Sequence, residues 1–170
     1  MTPQEFRTLY EYDAWANSRV LNACSALTPE QLTRNLGNSF GSVRDTLVHI
    51  LGAQIVWIER LTGGAPAGLP SPDGFPDLAS VRAKWQEIQP RLHAYVNGLT
   101  AADIERNLEY RNLKGVAFRD QTGQILQHLA NHGSYHRGQI TTLLRQLGAT
   151  PVNTDMIGFY RERAAAKTAV

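Results

Sequence analysis

A single cysteine in 170 residues, Cys24, leaves no partner for an internal disulfide, which fits a reducing compartment and excludes a disulfide-stapled secreted scaffold. Cys24 sits among apolar helix residues with no flanking cation, so the reading is a small buried hydrophobe and not a reactive thiol. No stretch is apolar for the length of a membrane span. Met1 is followed by Thr-Pro-Gln-Glu, a helix start and not a basic, apolar leader; the expectation is a cytoplasmic protein that does not enter the membrane. An excess of one charge is also lacking: 17 Lys and Arg are scattered among 15 acids for a net +2, too little to mark a nucleic-acid binder. At this length one core and one domain, residues 1–170, are expected.

What is present is mostly helix punctuation. Thr2, Pro3 and Glu5 form a capping-box pattern that opens a helix to about Leu27, and Thr28, Pro29 and Gln31 repeat it over a short turn. Ser42 and Asp45 open a segment to about Leu61 that carries no charge between Thr46 and Ile58 apart from His49; such a helix is buried on several sides. TGGAPAGLPSPDGFP, residues 62–76, is a long loop, and a helix follows over about Leu78–Gly98 with Pro90 inside, where a kink or division is expected. NLEYRNLKGVAFR, residues 107–119, alternates about Lys114-Gly115 as a short hairpin does. Asp120 is the expected cap of a last long helix, Gln121–Leu147, stopped by Gly148 and Pro151, and a short helix is expected near Asp155–Ala166. Four long helices, a crossover loop and a small β insertion describe an all-α protein, a four-helix bundle.

The chemistry is concentrated in HGSYH, residues 132–136. Ile125, Leu129, Ile140, Leu143 and Leu147 form one stripe of the last helix, and His132 and His136 occupy its two missing positions. At ~100° per residue His136 lies near the stripe's centre and His132 about 40° to one side, while His128 sits roughly 80° away as a flanking residue. His128 and His136 are about 12 Å apart along the axis, so all three cannot hold one ion. The i, i+4 pair can, as on an HExxH helix, but position 133 is Gly, so the glutamate base of a metalloprotease is missing.

A third ligand must come from another helix, and His49, beside the small Gly52 and Ala53, is the best supplier; it lies off the stripe Val43, Leu47, Ile50, Ile58, Leu61, so its inward direction depends on that helix being buried all round. Two imidazoles in one core stripe each demand a partner, which favours a metal over a plain hydrogen-bonded core. His93, beside Arg91, reads as a surface residue. Asp45 serves the Ser42 cap better than it would a base, Trp15, Asn17 and Trp57 read as bundle packing, and Arg137 belongs to the pocket rim or the surface.

LYEYDAWANSRVL at 9–21, the His49 helix, the NLEYRNLKG hairpin and ILQHLANHGSYHRGQI at 125–140 together resemble the DinB family, also called the DinB/YfiT-like metalloenzymes. The resemblance spans nearly the whole chain, with NHxxYHRGQ as its most specific part. It implies an up-down-down-up four-helix bundle with a long crossover, often dimeric, and a metal triad that falls on His49, His132 and His136. It also implies a range of chemistry, since the wider superfamily includes transferases and isomerases that use low-molecular-weight thiols such as bacillithiol or mycothiol. Three neutral histidines leave a divalent ion its full charge and an open position, as in catalytic sites. Zinc, nickel and ferrous iron all accept imidazole. The expectation is a divalent-metal-dependent enzyme, with thiol-dependent S-transfer to a small electrophilic substrate as its most concrete form. A metal-binding or stress-response protein without turnover is the alternative, and a hydrogen-bonded histidine core is a third.

Overall fold

The computed structural model describes residues 1–168. Its helices start where short polar side chains satisfy orphan backbone N–H groups. Helix α1 (Pro3–Cys24) opens on Thr2, whose hydroxyl accepts the Glu5 N–H while the Glu5 carboxylate accepts the Thr2 N–H. The reciprocal pair Thr28 and Gln31 opens α2 (Pro29–Thr33). Ser42 caps α3 (Val43–Leu61) through the Asp45 N–H at 3.1 Å, but the Asp45 carboxylate pairs with Arg44 at 2.9 Å and does not close the box. Helix α4 (Leu78–Asn97) runs through Pro90 as one element and is not divided there. Pro90 and Gln86 are both exposed, so the carbonyl that Pro90 leaves without an N–H partner faces water.

After the short α5 (Ala101–Glu105), strands β1 (Asn107–Arg111) and β2 (Ala117–Gln121) pair antiparallel, Asn107 opposite Gln121 and Tyr110 opposite Phe118. The turn between them uses Gly115 at φ +81°, a conformation that a Cβ disfavours. The hairpin consumes the expected cap of the next helix: Asp120 lies in β2, its carboxylate accepting the Tyr110 hydroxyl at 2.8 Å. Helix α6 (Thr122–Gln146) is instead moored by Thr122, whose N–H and hydroxyl both donate to the Arg106 carbonyl. Helix α7 (Met156–Thr168) ends the described chain.

Four of these helices form the bundle, α1 and α3 each packing against both α4 and α6. Named contacts set the directions. Arg7 of α1 reaches the Asn97 carbonyl at the end of α4, and Arg82 near the start of α4 reaches Leu21 and Ser25 at the end of α1, so α1 and α4 are antiparallel. Tyr10 meets Leu126 and Asp13 meets Arg137, so α1 and α6 run together, while Trp57 beside His128 and Phe40 beside His136 make α3 and α6 antiparallel. The order is up, down, down, up, and residues 62–77 form the long crossover that two parallel neighbours, α3 and α4, require.

Helix α3 is buried on several sides, from Val43 and Leu47 through Ile50, Leu51 and Val56 to Ile58. Each of these side chains contributes roughly 1.5–3 kcal/mol of burial. The space beside Gly52 is not left for a ligand: a Cβ there would lie 2.8 Å from Pro70 Cδ, because the crossover loop packs on this spot. Among the described residues no helix is long and apolar enough to cross a membrane.

Candidate metal centre

The antiparallel contact of α3 with α6 brings three imidazoles together. His49 Nε2 lies 2.9 Å from His132 Nε2, which lies 3.1 Å from His136 Nε2, and all three candidate ligand atoms fall within 4.8 Å of one another. His136 is 6% exposed, and the other two are half-buried. Phe40, in the segment before α3, stacks on His49 with ring centroids 3.9 Å apart and meets His136 edge-on. Burial, followed by the neighbouring imidazoles, pulls the pKa of His49 down to about 4 and that of His132 to about 3. Both rings are therefore neutral at pH 7 with lone pairs available.

Hydrogen bonds alone serve this cluster poorly. Gln139 presents Oε1 to His136 Nδ1 at 2.8 Å, which places the neutral ring's proton on Nδ1 and leaves Nε2 as a bare acceptor facing His132. His132 Nε2 carries at most one proton in the neutral ring, yet it faces two nitrogens, and its buried Nδ1 has no partner among the described residues. Imidazoles bound to one ion at roughly 2.0–2.1 Å stand about 3–4 Å apart. The donors and their spacing fit a divalent transition metal, and Gln139 is placed where an outer hydrogen bond would orient a metal-binding imidazole. Sequence reasoning missed Gln139 and Phe40; the i, i+3 spacing of His136 and Gln139 on one helix face was the available signal for the first.

The remaining candidates separate cleanly. His128 is exposed and outside the triad, its ring 5.8 Å from that of His132 and 6.1 Å from that of Trp57. His93 is not a surface residue: half-buried, its Nε2 lies 3.2 Å from the Tyr10 carbonyl and ties α4 to α1. Asp45 is held by Arg44. Trp15 packs as expected, against Tyr12 and Phe159 of α7. Burial pushes the Cys24 thiol up to about 12 and keeps it protonated.

Arg137 belongs neither to the rim nor to the surface. It is 1% exposed, and its Nη1 donates to Asp13 Oδ1 at 2.6 Å and to Asn17 Oδ1 at 2.7 Å. Asp13 Oδ2 accepts from Asn17 and from Gln54, each at 2.9 Å, and Ser134 accepts from Arg137 Nη2. The network locks α1, α3 and α6 together one residue from His136. Asn17 is thus packed inside the bundle, as expected, where it serves as a polar link of this network.

A model of the DinB family matches residues 1–167. The chain belongs to the DinB family. Protein DinB of Bacillus subtilis is 28% identical over 155 residues, covering 86% of this chain and 88% of that protein, and YrdA of the same organism, an uncharacterized protein, is 26% identical over 151 residues, covering 88% and 85%. Among solved structures, a DinB-like protein from Bacillus cereus superposes with a TM-score of 0.59 at 21% identity, covering 89% of this chain and 97% of that one. YfiT from Bacillus subtilis, a probable metal-dependent hydrolase with an unusual four-helix bundle topology, gives 0.62 at 20% identity, covering 87% and 90%. Likeness at these identities carries the fold of this DinB protein.

Proposed function

We propose that this DinB protein is a divalent-metal-dependent enzyme whose ion is held by His49, His132 and His136, with a small molecule as substrate. The observation that carries the reading is the convergence of three imidazoles, Nε2 to Nε2 at 2.9 and 3.1 Å, in a half-buried site with no carboxylate in the group. Bound by these three residues, such an ion would supply Lewis-acid chemistry that lowers the pKa of a water or thiol.

The chain's own residues then have defined tasks. Gln139 fixes the His136 tautomer, Phe40 covers one face of His49 and excludes water from it, and the Asp13–Arg137 network holds α6 in register. The finer form of the proposal is S-transfer from a low-molecular-weight thiol to a small electrophile. Hydrolysis is the second reading, favoured by the fold shared with YfiT.

The test is elemental analysis of untagged protein beside its His49→Ala, His132→Ala and His136→Ala variants. Near one equivalent of zinc, nickel or iron is expected in the native protein, with less than about a tenth of that in each variant and an unchanged helical spectrum. Native protein that neither contains nor takes up any of these ions, with variants that merely lose stability, would return the histidines to a structural core. Loaded protein is then assayed with activated esters and with thiol plus electrophile. Turnover of neither class would leave a metal-binding protein without catalysis.

A further inference from the structure

One turn along α6 from the triad, a cavity of about 310 Å³ opens between the bundle and the hairpin, lined by Trp57, Tyr110, Asp120, Gln124, Ile125 and His128. Its walls are aromatic. Trp57 and Tyr110 meet edge to face with centroids 5.1 Å apart, and Trp57 meets His128 at 6.1 Å. At the hairpin side stands Asp120, half-buried, one carboxylate oxygen occupied by the Tyr110 hydroxyl and the other without a donor among the described residues. His128 forms the end nearest the triad, 5.8 Å from the His132 ring.

The charges around the cavity are not balanced on its inner surface. Arg60 is the near cation, but it does not line the space: its guanidinium lies 4.9 Å from the centroids of Trp57 and Tyr110 and donates to the Arg111 carbonyl. In the antiparallel register Asp120 lies opposite Leu108, with Tyr110 and Phe118 on the same face, whereas Glu109, Arg111 and Arg119 alternate onto the other. The carboxylate is therefore the only acidic group among the lining residues, at one end of an apolar, aromatic slot.

We propose that this cavity is a binding site for a small molecule with a planar apolar body and a terminal amine or similar hydrogen-bond donor, the donor meeting Asp120 and the body lying between Trp57, Tyr110 and Ile125. A ligand so held has its other end beside His128, one helical turn from the triad. The site's use as a substrate pocket rests on the metal-enzyme reading; its ligand selectivity does not.

Benzylamine, benzyl alcohol and benzoate serve as probes at neutral pH, read by tryptophan fluorescence of the native protein and of metal-free His132→Ala. Benzylamine is expected to give a saturable change in both proteins and to bind about tenfold or more tightly than benzoate, because only the amine makes a charge-assisted bond to the carboxylate. Trp57→Phe should abolish the signal, while chemical-shift mapping still places the amine at the hairpin. Asp120→Asn, which keeps the size and the acceptor for Tyr110, should erase the preference for the amine with the circular dichroism spectrum unchanged. Tyr110→Phe, which frees the second Asp120 oxygen, should retain the preference and covers the case of an Asp120 variant that does not fold. Benzoate binding as tightly as benzylamine, a preference that survives in Asp120→Asn, or no saturable binding of any probe would overturn the proposal. Binding by His132→Ala alongside native protein that takes up no metal would sink the enzyme reading and leave this site standing.

Discussion

At the scale of single residues, the roles of His136 and Gln139 are coupled through one proton. The Gln139 carbonyl oxygen accepts a hydrogen bond from Nδ1–H and so directs the Nε2 lone pair at the neighbouring imidazoles. Gln139→Ala should leave the fold intact and weaken metal binding by about 10–100-fold, as loss of an outer-sphere partner does elsewhere. Titration with a competing chelator checks this, and an unchanged affinity would show that packing against Phe40 is enough to orient the ring. Cys24 supplies a second prediction, of opposite character. Its thiol keeps its proton to about 12 in the fold, whereas the unfolded chain loses it near the usual 8.5. The sign follows directly: the fold binds more protons than the unfolded chain above that lower value, so stability is full below it and declines as pH rises toward 12, by about 1.4 kcal/mol per pH unit. Cys24→Ala should flatten the alkaline limb of a stability–pH profile measured by urea denaturation.

At the scale of elements, the buried pair Asp13–Arg137 decides how α1, α3 and α6 sit together. Removing one partner leaves a buried charge unpaired, so Arg137→Met should cost about 3–5 kcal/mol, and the double variant with Asp13→Asn should cost less than the sum of the singles. Gly133→Ala belongs to the same contact: its Cβ would lie 2.9 Å from both Arg137 Nη1 and Asp13 Oδ1, a close approach that should cost about 1–3 kcal/mol by denaturation. A Gly133→Ala variant as stable as the native protein would mean that the helices part without loss. Reading the sequence alone reached the helices, most of their caps and the place of His132 and His136 on one helix face, because an i, i+4 pair inside an apolar stripe is a local pattern. His49 was reachable through the missing charge around it. Arg137 was not, since its destination depends on Asp13 and Gln54 arriving from other helices. Asp120 was misread for a related reason: a short polar residue before a helix suits a cap, and only pairing with β1 reveals that it serves a strand.

At the scale of the whole molecule, a metal held between α3 and α6 would be linked to global stability, because no site of this geometry exists in the unfolded chain. Each tenfold rise in free metal above the dissociation constant should add about 1.4 kcal/mol, or roughly 3–6 °C in Tm for a chain of this length. His132→Ala should show no such slope. Cys24 offers an independent readout of the same linkage from the far end of α1. At 1% exposure with a protonated thiol, it reacts with an alkylating reagent only after the chain opens. When opening and closing are fast relative to labelling, the rate follows the population of the open form. If that opening is global, tenfold more metal should slow Cys24 labelling about tenfold in native protein and leave the rate in His132→Ala unchanged. Labelling that ignores metal in both proteins would place the opening in the last turn of α1 alone, a local event that leaves the three histidines together.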